Sequence, residues 1–306
     1  MQLSFFDTCV RLLRTTLLVS VALPTGAFAL VGGAGAVSNA TDSPWSGVGS
    51  LSVNGSKFTA TLIAPGYVLT AAHVAAGHDP AAISFQVNAA STYAVAASQV
   101  FVSPGYTGGT TSNVLGDPTK HADLAIIRLA LTVDSGRPAY KFFTGNLQSK
   151  VLTLVSYSGG QVAKTTGENV VDVLFSDALG TQQTYFFDFD GPDLSTNRLG
   201  TNSQNNATLG LGREASLIGG DSGSAAFVMA DGQWQLAGIN TFQAMFSAGP
   251  TTSGSFGTGG GGVVLASHIP WINSVILTPV PEPTAWLMLL AGLGLLGGVS
   301  LQRRAD

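Results

Sequence analysis

Between residues 30 and 277 the apolar positions form short runs rich in β-branched side chains, interrupted by Gly, Pro, Asn or Ser about every 8 to 12 residues. This pattern is typical of sandwiches and barrels, so it predicts an all-β domain. The predicted strands are residues 47–53, 57–63, 67–70, 83–87, 94–102, 124–129, 151–157, 170–175, 184–189, 224–229, 234–240 and 262–266. Residues 269–277 carry Pro270 at a first-turn position and apolar residues at helical spacing, which predicts a helix.

Three stretches between the predicted strands lack this pattern. Residues 104–121 and 192–212 are rich in Gly, Pro, Asn and Ser, which predicts loops. Residues 249–262 are dominated by glycine and have low complexity. Glycine-rich chains behave as flexible coils, so we expect this last stretch to be flexible.

The N-terminus has the composition of a targeting segment. Arg11 and Arg14 precede an apolar run at 15–23, and Pro24 then leads to the small-x-small sequence that ends at Ala29. This order predicts a signal peptide over residues 1–29, cleaved after Ala29 by signal peptidase. The alternative is a membrane anchor, but the apolar run is shorter than the roughly 20 residues that a span needs.

The C-terminus also has a targeting pattern. A Pro-Glu-Pro sequence at 281–283 is followed by an apolar stretch at 285–301 and by two arginines. The physical pattern predicts a short membrane-spanning helix whose basic end stays in the cytoplasm. The order is similar to the PEP-CTERM sorting signal of Gram-negative bacteria. The resemblance implies that residues 278–306 form a sorting segment cleaved by an exosortase-type enzyme, and that the protein reaches the cell envelope or exterior, transiently anchored by this helix.

Composition limits the remaining possibilities. The chain is 45% hydrophobic and only 10% charged, which excludes a coiled coil or a charged disordered tail. Its net charge is −4 with no basic run, so nucleic acid is not an expected partner. The single cysteine, Cys9, lies in the predicted signal peptide, so no disulfide can form in the mature chain. Residues 30–277 are enough for one domain stabilised by its core.

Three short motifs carry side chains suited to chemistry. The segment 69–73, Leu-Thr-Ala-Ala-His, ends at His73; taken alone, this residue could equally be a structural histidine. Asp123 opens an apolar run at the expected edge of a core, where a carboxylate needs partners. The segment 219–224, Gly-Gly-Asp-Ser-Gly-Ser, can form a tight turn that exposes the Ser222 hydroxyl and directs successive N–H groups at one point, as an oxyanion hole requires.

Taken together, His73, Asp123 and Ser222, in that order and in those local sequences, resemble the trypsin/chymotrypsin superfamily of serine peptidases. The resemblance covers nearly all of residues 30–277 and implies two six-stranded antiparallel β-barrels, a site between them and a C-terminal helix. It implies that His73 is the general base, that Asp123 orients it, and that Ser222 is the nucleophile toward protein or peptide substrates. The backbone N–H groups of Gly220 and Ser222 would form the oxyanion hole.

The predicted cleavage would leave Leu30 as the new N-terminus, similar to the processed terminus of activated family members. In the family, the new ammonium pairs with the Asp before the nucleophile, which here is Asp221. We therefore expect signal peptidase itself to generate the active terminus. The alternative is that Leu30 only begins a strand.

The resemblance also indicates the specificity pocket. Ser216 matches the pocket-floor position, and because it is not acidic the resemblance does not imply Lys or Arg specificity. Thr241, Phe242 and Gln243 match the segment that pairs with substrate and forms a pocket wall. Gln243 replaces a usual glycine, which favours small or medium apolar substrate side chains. Ser224 replaces the second glycine after the nucleophile, which could distort the site.

No metal site and no cofactor are predicted. Asp188, Asp190 and Asp193 lie close together in sequence, but their spacing fits no EF-hand loop, so a solvated acidic turn is the preferred interpretation. The leading hypothesis is an exported serine endopeptidase. The alternative is a catalytically silent surface or matrix-binding protein that keeps the fold, and the presence of all three triad residues argues against it.

Overall fold

The computed structural model describes residues 30–37, 40, 42–87, 94–108, 122–133, 140–157, 164–200 and 208–277. In these ranges the regular secondary structure is almost entirely β. The strands are β1 Val31–Gly32, β2 Gly35–Val37, β3 Val48–Val53, β4 Ser56–Ala64, β5 Tyr67–Thr70, β6 Ile83–Gln86, β7 Val95–Val102, β8 Ala125–Leu129, β9 Val151–Ser156, β10 Lys164–Val170, β11 Val173–Ser176, β12 Gln182–Asp188, β13 Ala215–Ser216, β14 Ala225–Ala230, β15 Gln233–Met245 and β16 Thr258–Val264. The α-helices are α1 Ala72–Ala75 and α2 Ile269–Ile276, and single 3-10 turns lie at Pro80–Ala82, Leu194–Thr196 and Leu265–His268.

Both predicted targeting segments, residues 1–29 and 278–306, lie outside the described ranges. Within those ranges, no helix combines the length and the apolar character needed to cross a membrane.

The first half of the domain is a closed barrel of six antiparallel strands in the order β3-β4-β5-β8-β7-β6. Its strands alternate between two apolar faces. In β5, for example, Val68 packs into the barrel core, whereas the next residue, Leu69, belongs to the cluster shared with the second half of the domain. In β8, Ile127 and Ile126 divide in the same way. Side chains on one face of the barrel strands therefore fill the barrel interior, and those on the other face form the interface with the second half of the domain.

The second half is one eight-stranded sheet in the order β11-β12-β16-β15-β14-β9-β10-β2. The predicted second closed six-stranded barrel is therefore wrong in this detail. The sheet curls until β10 faces β12, but no ladder joins these two strands. Instead, the buried Asn169 side chain spans the gap, donating to the carbonyls of Asp188 at 2.7 Å and Ala215 at 2.9 Å.

An aromatic cluster joins the two halves. The Phe227 ring lies 5.1 Å from Trp45 and 4.7 Å from Tyr140, and Trp45 also contacts Trp234 at 4.8 Å. The predicted C-terminal helix is confirmed as α2, and its buried residue Ile272 packs into the same cluster. The relative placement of the halves, which sets the geometry of any site between them, is thus fixed by apolar packing rather than by a disulfide.

Most strand predictions match the structure within one or two residues at each end, but three differ, those for residues 170–175, 234–240 and 262–266, the last of which corresponds to β16. Residues 170–175 were predicted as one strand, whereas β10 ends at Val170 and β11 begins at Val173. Strand β15 extends five residues beyond its predicted end, to Met245. The predicted loops agree with the irregular structure at 104–108 and 192–200, and residues 109–121 and 201–207 lie outside the described ranges.

The predicted flexibility of the glycine-rich stretch is wrong for its last residues. All residues of β16 are buried, and β16 pairs with β12 on one side and β15 on the other. A Cβ at Gly261 would lie 2.2 Å from the Tyr185 carbonyl oxygen and 2.5 Å from the Phe242 ring. These glycines therefore allow close packing in the middle of a sheet.

The predicted solvated acidic turn is wrong for two of its three aspartates. Asp188 and Asp190 are only 3% and 5% exposed, and Asp172 and Glu214 are buried nearby. Burial raises the pKa of Asp188 and of Glu214. Asp193 is exposed and accepts from the Ser195 N–H at 2.9 Å, capping a 3-10 turn. Among the residues that the structure describes, no three His, Cys, Asp or Glu side chains are arranged to hold a metal ion.

Candidate active site

The structure brings His73, Asp123 and Ser222 together at the junction of the two halves. His73 lies in α1, directly after β5, and Asp123 precedes β8, which pairs with β5. Ser222 lies in the turn before β14, in the other half. His73 Nδ1 is 2.7 Å from Asp123 Oδ2, and His73 Nε2 is 2.8 Å from Ser222 Oγ. The three side chains therefore form one continuous hydrogen-bonded chain.

The carboxylate at the inner end of this chain is held on both oxygens. Asp123 is 3% exposed, and its Oδ1 accepts from the backbone N–H of His73 at 2.8 Å while Oδ2 contacts the ring. Burial and the nearby charge of Asp123 raise the pKa of Tyr106. Because the Asp123 carboxylate is fixed, it holds the His73 imidazole in one orientation, with Nε2 facing Ser222.

The turn that carries Ser222 is bound to both halves of the domain. The Thr59 N–H of the barrel donates to the Ser222 carbonyl at 3.3 Å, and the Gly223 N–H donates to the Asn240 carbonyl at 2.9 Å. Gly223 has φ +83°, and a Cβ there would lie 2.1 Å from Thr70 Oγ1 and 2.2 Å from the Thr59 carbonyl oxygen. Only glycine fits, because both the backbone conformation and the space exclude a side chain.

The predicted oxyanion donors are available. In the described part of the chain, the backbone N–H groups of Gly220 and Ser222 donate to no protein oxygen, whereas the Asp221 N–H between them donates to the Ile218 carbonyl at 3.1 Å. The Gly220 and Ser222 N–H groups, one on each side of the bonded Asp221 N–H, therefore meet the requirement for binding a developing oxyanion.

The predicted pair of Leu30 and Asp221 is also in contact. The Leu30 backbone nitrogen lies 3.3 Å from each Asp221 carboxylate oxygen, and the two residues are 3% and 1% exposed. The carboxylate also accepts from Ser156 Oγ at 2.6 Å and from the Ile218 N–H at 2.7 Å. Sequence reasoning missed Ser156, which lies at the end of an ordinary apolar strand and has no sequence signal of its own.

A family model described as Trypsin matches residues 31–256, which is more than half of the 306-residue chain. The chain belongs to the trypsin family. As a member of this family, the protein is a serine peptidase and therefore a hydrolase. A second model, the PEP-CTERM protein-sorting motif, matches residues 279–304, and this motif indicates export. No curated protein matches the sequence.

Solved structures similar to this trypsin-family chain include a Glu endopeptidase in complex with MPD. It is 17% identical, with a TM-score of 0.51 over 82% of this chain and 97% of that one. The scabies mite inactivated protease paralogue S-I1 is 15% identical, with a TM-score of 0.49 over 78% of this chain and 96% of that one. The paralogue S-D1 is 14% identical, with a TM-score of 0.49 over 81% of this chain and 98% of that one. The first likeness shows the shared all-β chymotrypsin-like fold.

A cavity of about 300 Å³ opens beside Ser222 in this trypsin-family domain. It is lined by residues 217–219, 221–222 and 240–243, which include the predicted wall residues Thr241, Phe242 and Gln243. The predicted floor residue, Ser216, is not among these residues; it is fully buried and pairs with Val31 in a separate two-stranded sheet formed by β1 and β13.

Ser224, the departure from the family pattern, takes part in a buried hydrogen-bond network. Its hydroxyl accepts from Asn240 Nδ2 at 2.8 Å, and Asn240 Oδ1 accepts from the Tyr185 hydroxyl at 2.7 Å. Sequence reasoning missed Asn240 and Tyr185, which are both spaced like ordinary strand residues. Ser224 and Asn240 also pair through the backbone, since the Asn240 N–H donates to the Ser224 carbonyl at 2.9 Å.

Proposed function

We propose that this protein is an exported serine endopeptidase that cleaves peptide bonds through an acyl-enzyme. The hydrogen-bonded chain from Asp123 through His73 to Ser222 is the observation that carries the proposal, because it meets the geometric requirement for a nucleophile, a base and a group that orients the base. The PEP-CTERM motif supports export and transient membrane anchoring before an exosortase-type enzyme acts.

In the first half of the reaction, Ser222 Oγ attacks the substrate carbonyl carbon while its proton passes to His73 Nε2. Asp123 remains ionised and stabilises the imidazolium that forms. The N–H groups of Gly220 and Ser222 bind the oxyanion, and in enzymes of this kind loss of one such donor costs roughly 2.7 to 4 kcal/mol. Collapse of the intermediate breaks the C–N bond, and His73 returns the proton to the leaving amine.

In the second half, water attacks the acyl-enzyme and His73 acts again as general base. The carbonyl–Oγ bond breaks, the acid product leaves, and Ser222 regains its proton. Apart from water, every group that this cycle requires lies in the described part of the chain.

We further propose that signal peptidase creates the active terminus by cutting after Ala29. The position of the Leu30 nitrogen, between the two oxygens of the buried Asp221 carboxylate, supports this step. A terminal ammonium there would compensate a carboxylate that is otherwise costly to bury. Asp221 adjoins both oxyanion donors, so the pairing would order them.

The test is active-site labelling with a fluorophosphonate probe, read by intact mass on residues 30–277 with an authentic Leu30 terminus. We expect one probe per wild-type molecule and none on Ser222→Ala or His73→Ala. Ser98→Ala, at an exposed serine, is the matched control and should label like wild type. Absence of labelling in a folded wild-type sample would contradict the proposal and favour the silent binding protein.

A further inference from the structure

A chain of buried hydroxyl groups crosses the junction of the two halves and ends on Asp221. The Tyr157 N–H donates to Thr59 Oγ1 at 2.8 Å, and Thr59 Oγ1 lies 3.1 Å from Ser156 Oγ. The Ser156 hydroxyl then donates to Asp221 Oδ1 at 2.6 Å. Thr59 lies in β4 of the barrel, whereas Ser156 ends β9 of the sheet. None of these four residues is more than 1% exposed, so this hydroxyl chain is shielded from bulk water.

The position of each hydrogen in the hydroxyl chain follows from its two ends. An ionised carboxylate only accepts, so the single hydrogen of the Ser156 hydroxyl is committed to Asp221. Ser156 Oγ therefore accepts from the Thr59 hydroxyl, and Thr59 Oγ1 uses a lone pair for the Tyr157 N–H. Each hydroxyl donates once and accepts once, so the loss of either one interrupts the chain.

The hydroxyl chain holds the Asp221 carboxylate more closely than the Leu30 nitrogen does. The Ser156 contact is 2.6 Å long, whereas the Leu30 nitrogen lies 3.3 Å from each oxygen. Short hydrogen bonds from a hydroxyl to a carboxylate are about twice as strong as those between neutral groups. The Ile218 N–H binds the other oxygen, Oδ2, at 2.7 Å. Groups within the fold therefore fix this carboxylate in addition to the terminal nitrogen.

The turn that carries Ser222 is linked to Thr59 at two points. The Thr59 N–H donates to the Ser222 carbonyl at 3.3 Å, and the Thr59 hydroxyl reaches the Asp221 side chain through Ser156. Asp221 lies directly between Gly220 and Ser222, whose N–H groups are the proposed oxyanion donors. A displacement of the Asp221 side chain would therefore rotate the peptide groups that carry both donors.

We propose that Thr59 and Ser156 are positioning residues for the peptidase reaction, because their hydroxyls hold Asp221 and with it the turn that presents the two oxyanion donors. This rests on the proposed peptidase function. Both side chains are fully buried and act only through Asp221. The oxyanion forms only after Ser222 attacks, so misplaced donors slow bond formation and leave the binding of the ground state unchanged.

The experiment measures acylation of the exported full chain by p-nitrophenyl acetate, whose acyl group carries no amino-acid side chain. The burst of released nitrophenolate counts the reactive molecules. The dependence of the burst rate on ester concentration separates the acylation rate constant from the dissociation constant of the ester. We expect one nitrophenolate per wild-type molecule and none from Ser222→Ala. A folded wild type without a burst would contradict the peptidase function, and the positioning role with it.

Three variants then test the hydroxyl chain. Ser156→Ala should lower the acylation rate constant about ten-fold or more, with the dissociation constant of the ester unchanged. Thr59→Val keeps the shape of the side chain but removes its hydroxyl, and should lower the rate constant about three-fold or more. Thr59→Ser keeps the hydroxyl, so it should restore the rate constant to within about two-fold of wild type.

The matched control is Thr61→Val, the same substitution two residues further along β4. Thr61 is also fully buried, but its hydroxyl has no hydrogen-bond partner in the described part of the chain. We expect this variant to keep the wild-type acylation rate constant. Equal losses in Thr59→Val and Thr61→Val, or in Thr59→Val and Thr59→Ser, would overturn the positioning role, since the hydroxyl of Thr59 would then not be what matters.

The double variant Thr59→Val/Ser156→Ala tests whether the two hydroxyls act as one chain. Both substitutions interrupt the same path to Asp221, so we expect the double variant to lose no more than Ser156→Ala alone. Independent losses that multiply would overturn the inference. So would a wild-type acylation rate constant in both single variants, or a loss confined to the dissociation constant of the ester, given a normal burst from the wild type.

Discussion

The buried carboxylates are expected to make the free energy of unfolding fall as pH rises. Burial, reinforced by the charge of Asp188, raises the pKa of Asp172 to about 8. Burial and the charges of Asp188 and Glu214 raise the pKa of Asp190 to about 7. In the unfolded chain both groups titrate near a pH of about 4. Between about pH 4 and these folded-state values, the folded protein holds protons that the unfolded chain has released.

The free energy of unfolding should therefore fall as pH rises through this window. The stabilisation is complete below about pH 4 and is lost once pH passes the folded-state values. Each retained proton contributes a slope of about 1.4 kcal/mol per pH unit. Asp188 and Glu214, whose pKa values are also raised, act in the same direction, so we expect a combined slope of at least about 1.4 kcal/mol per pH unit from pH 5 to pH 7.

Urea unfolding followed by tryptophan fluorescence at half-unit pH steps measures this slope. Asp172→Asn keeps the shape of the protonated side chain and removes its titration, so it should flatten the slope by about 1.4 kcal/mol per pH unit. Asp231→Asn makes the same charge change at an exposed turn and should leave the slope unchanged. Stability that is constant or rising from pH 5 to pH 7 in the wild type would refute the reasoning, as would equal slopes in wild type and Asp172→Asn.

Three further predictions test separate parts of the structure. Gly223→Ala should abolish fluorophosphonate labelling, whereas Gly55→Ala, which has φ +85° but open space, should label normally; equal labelling would contradict the packing argument. One residue added before Leu30 should depress peptidase activity by replacing the ammonium with an amide, and unchanged activity would rule out terminal activation. Asn169→Ala should cost about 2 kcal/mol or more in urea unfolding, because two buried carbonyls lose their donor. The exposed control Asn54→Ala should change stability by less than half as much.

The sequence alone predicts strands best where apolar residues are local and continuous. Strand β5 has the predicted bounds, since its four residues are apolar or β-branched and a turn precedes them. Strand β10 was missed over most of its length because it begins Lys-Thr-Thr-Gly-Glu-Asn, which carries no apolar alternation. It lies between β9, the strand directly before it, and β2, which is far away in sequence, and no local apolar pattern records the pairing with β2.

In the candidate site, too, some residues can be located from the sequence and others only from the structure. The motifs around His73, Asp123 and Ser222 are local, and each could be located from its own short segment. The partners that hold the site lie in other strands: Ser156 reaches Asp221 from β9, and Tyr185 is 55 residues from Asn240. Hydrogen bonds at such separations depend on sheet register, so they can be read only from the folded chain.

Ser224 illustrates why a departure from a family pattern has to be judged together with its neighbours. A hydroxyl added to a tight buried turn is costly when it lacks a partner, and on that basis alone it could have distorted the site. Here the Ser224 hydroxyl is fully buried and accepts from Asn240, whose own oxygen accepts from Tyr185. The space for the tyrosine comes from glycines at 238 and 262, in two other strands. The hydroxyl, the amide, the phenol and the two glycines are therefore interdependent, and Ser224 is compatible with an ordered turn at Ser222 because the other four are present.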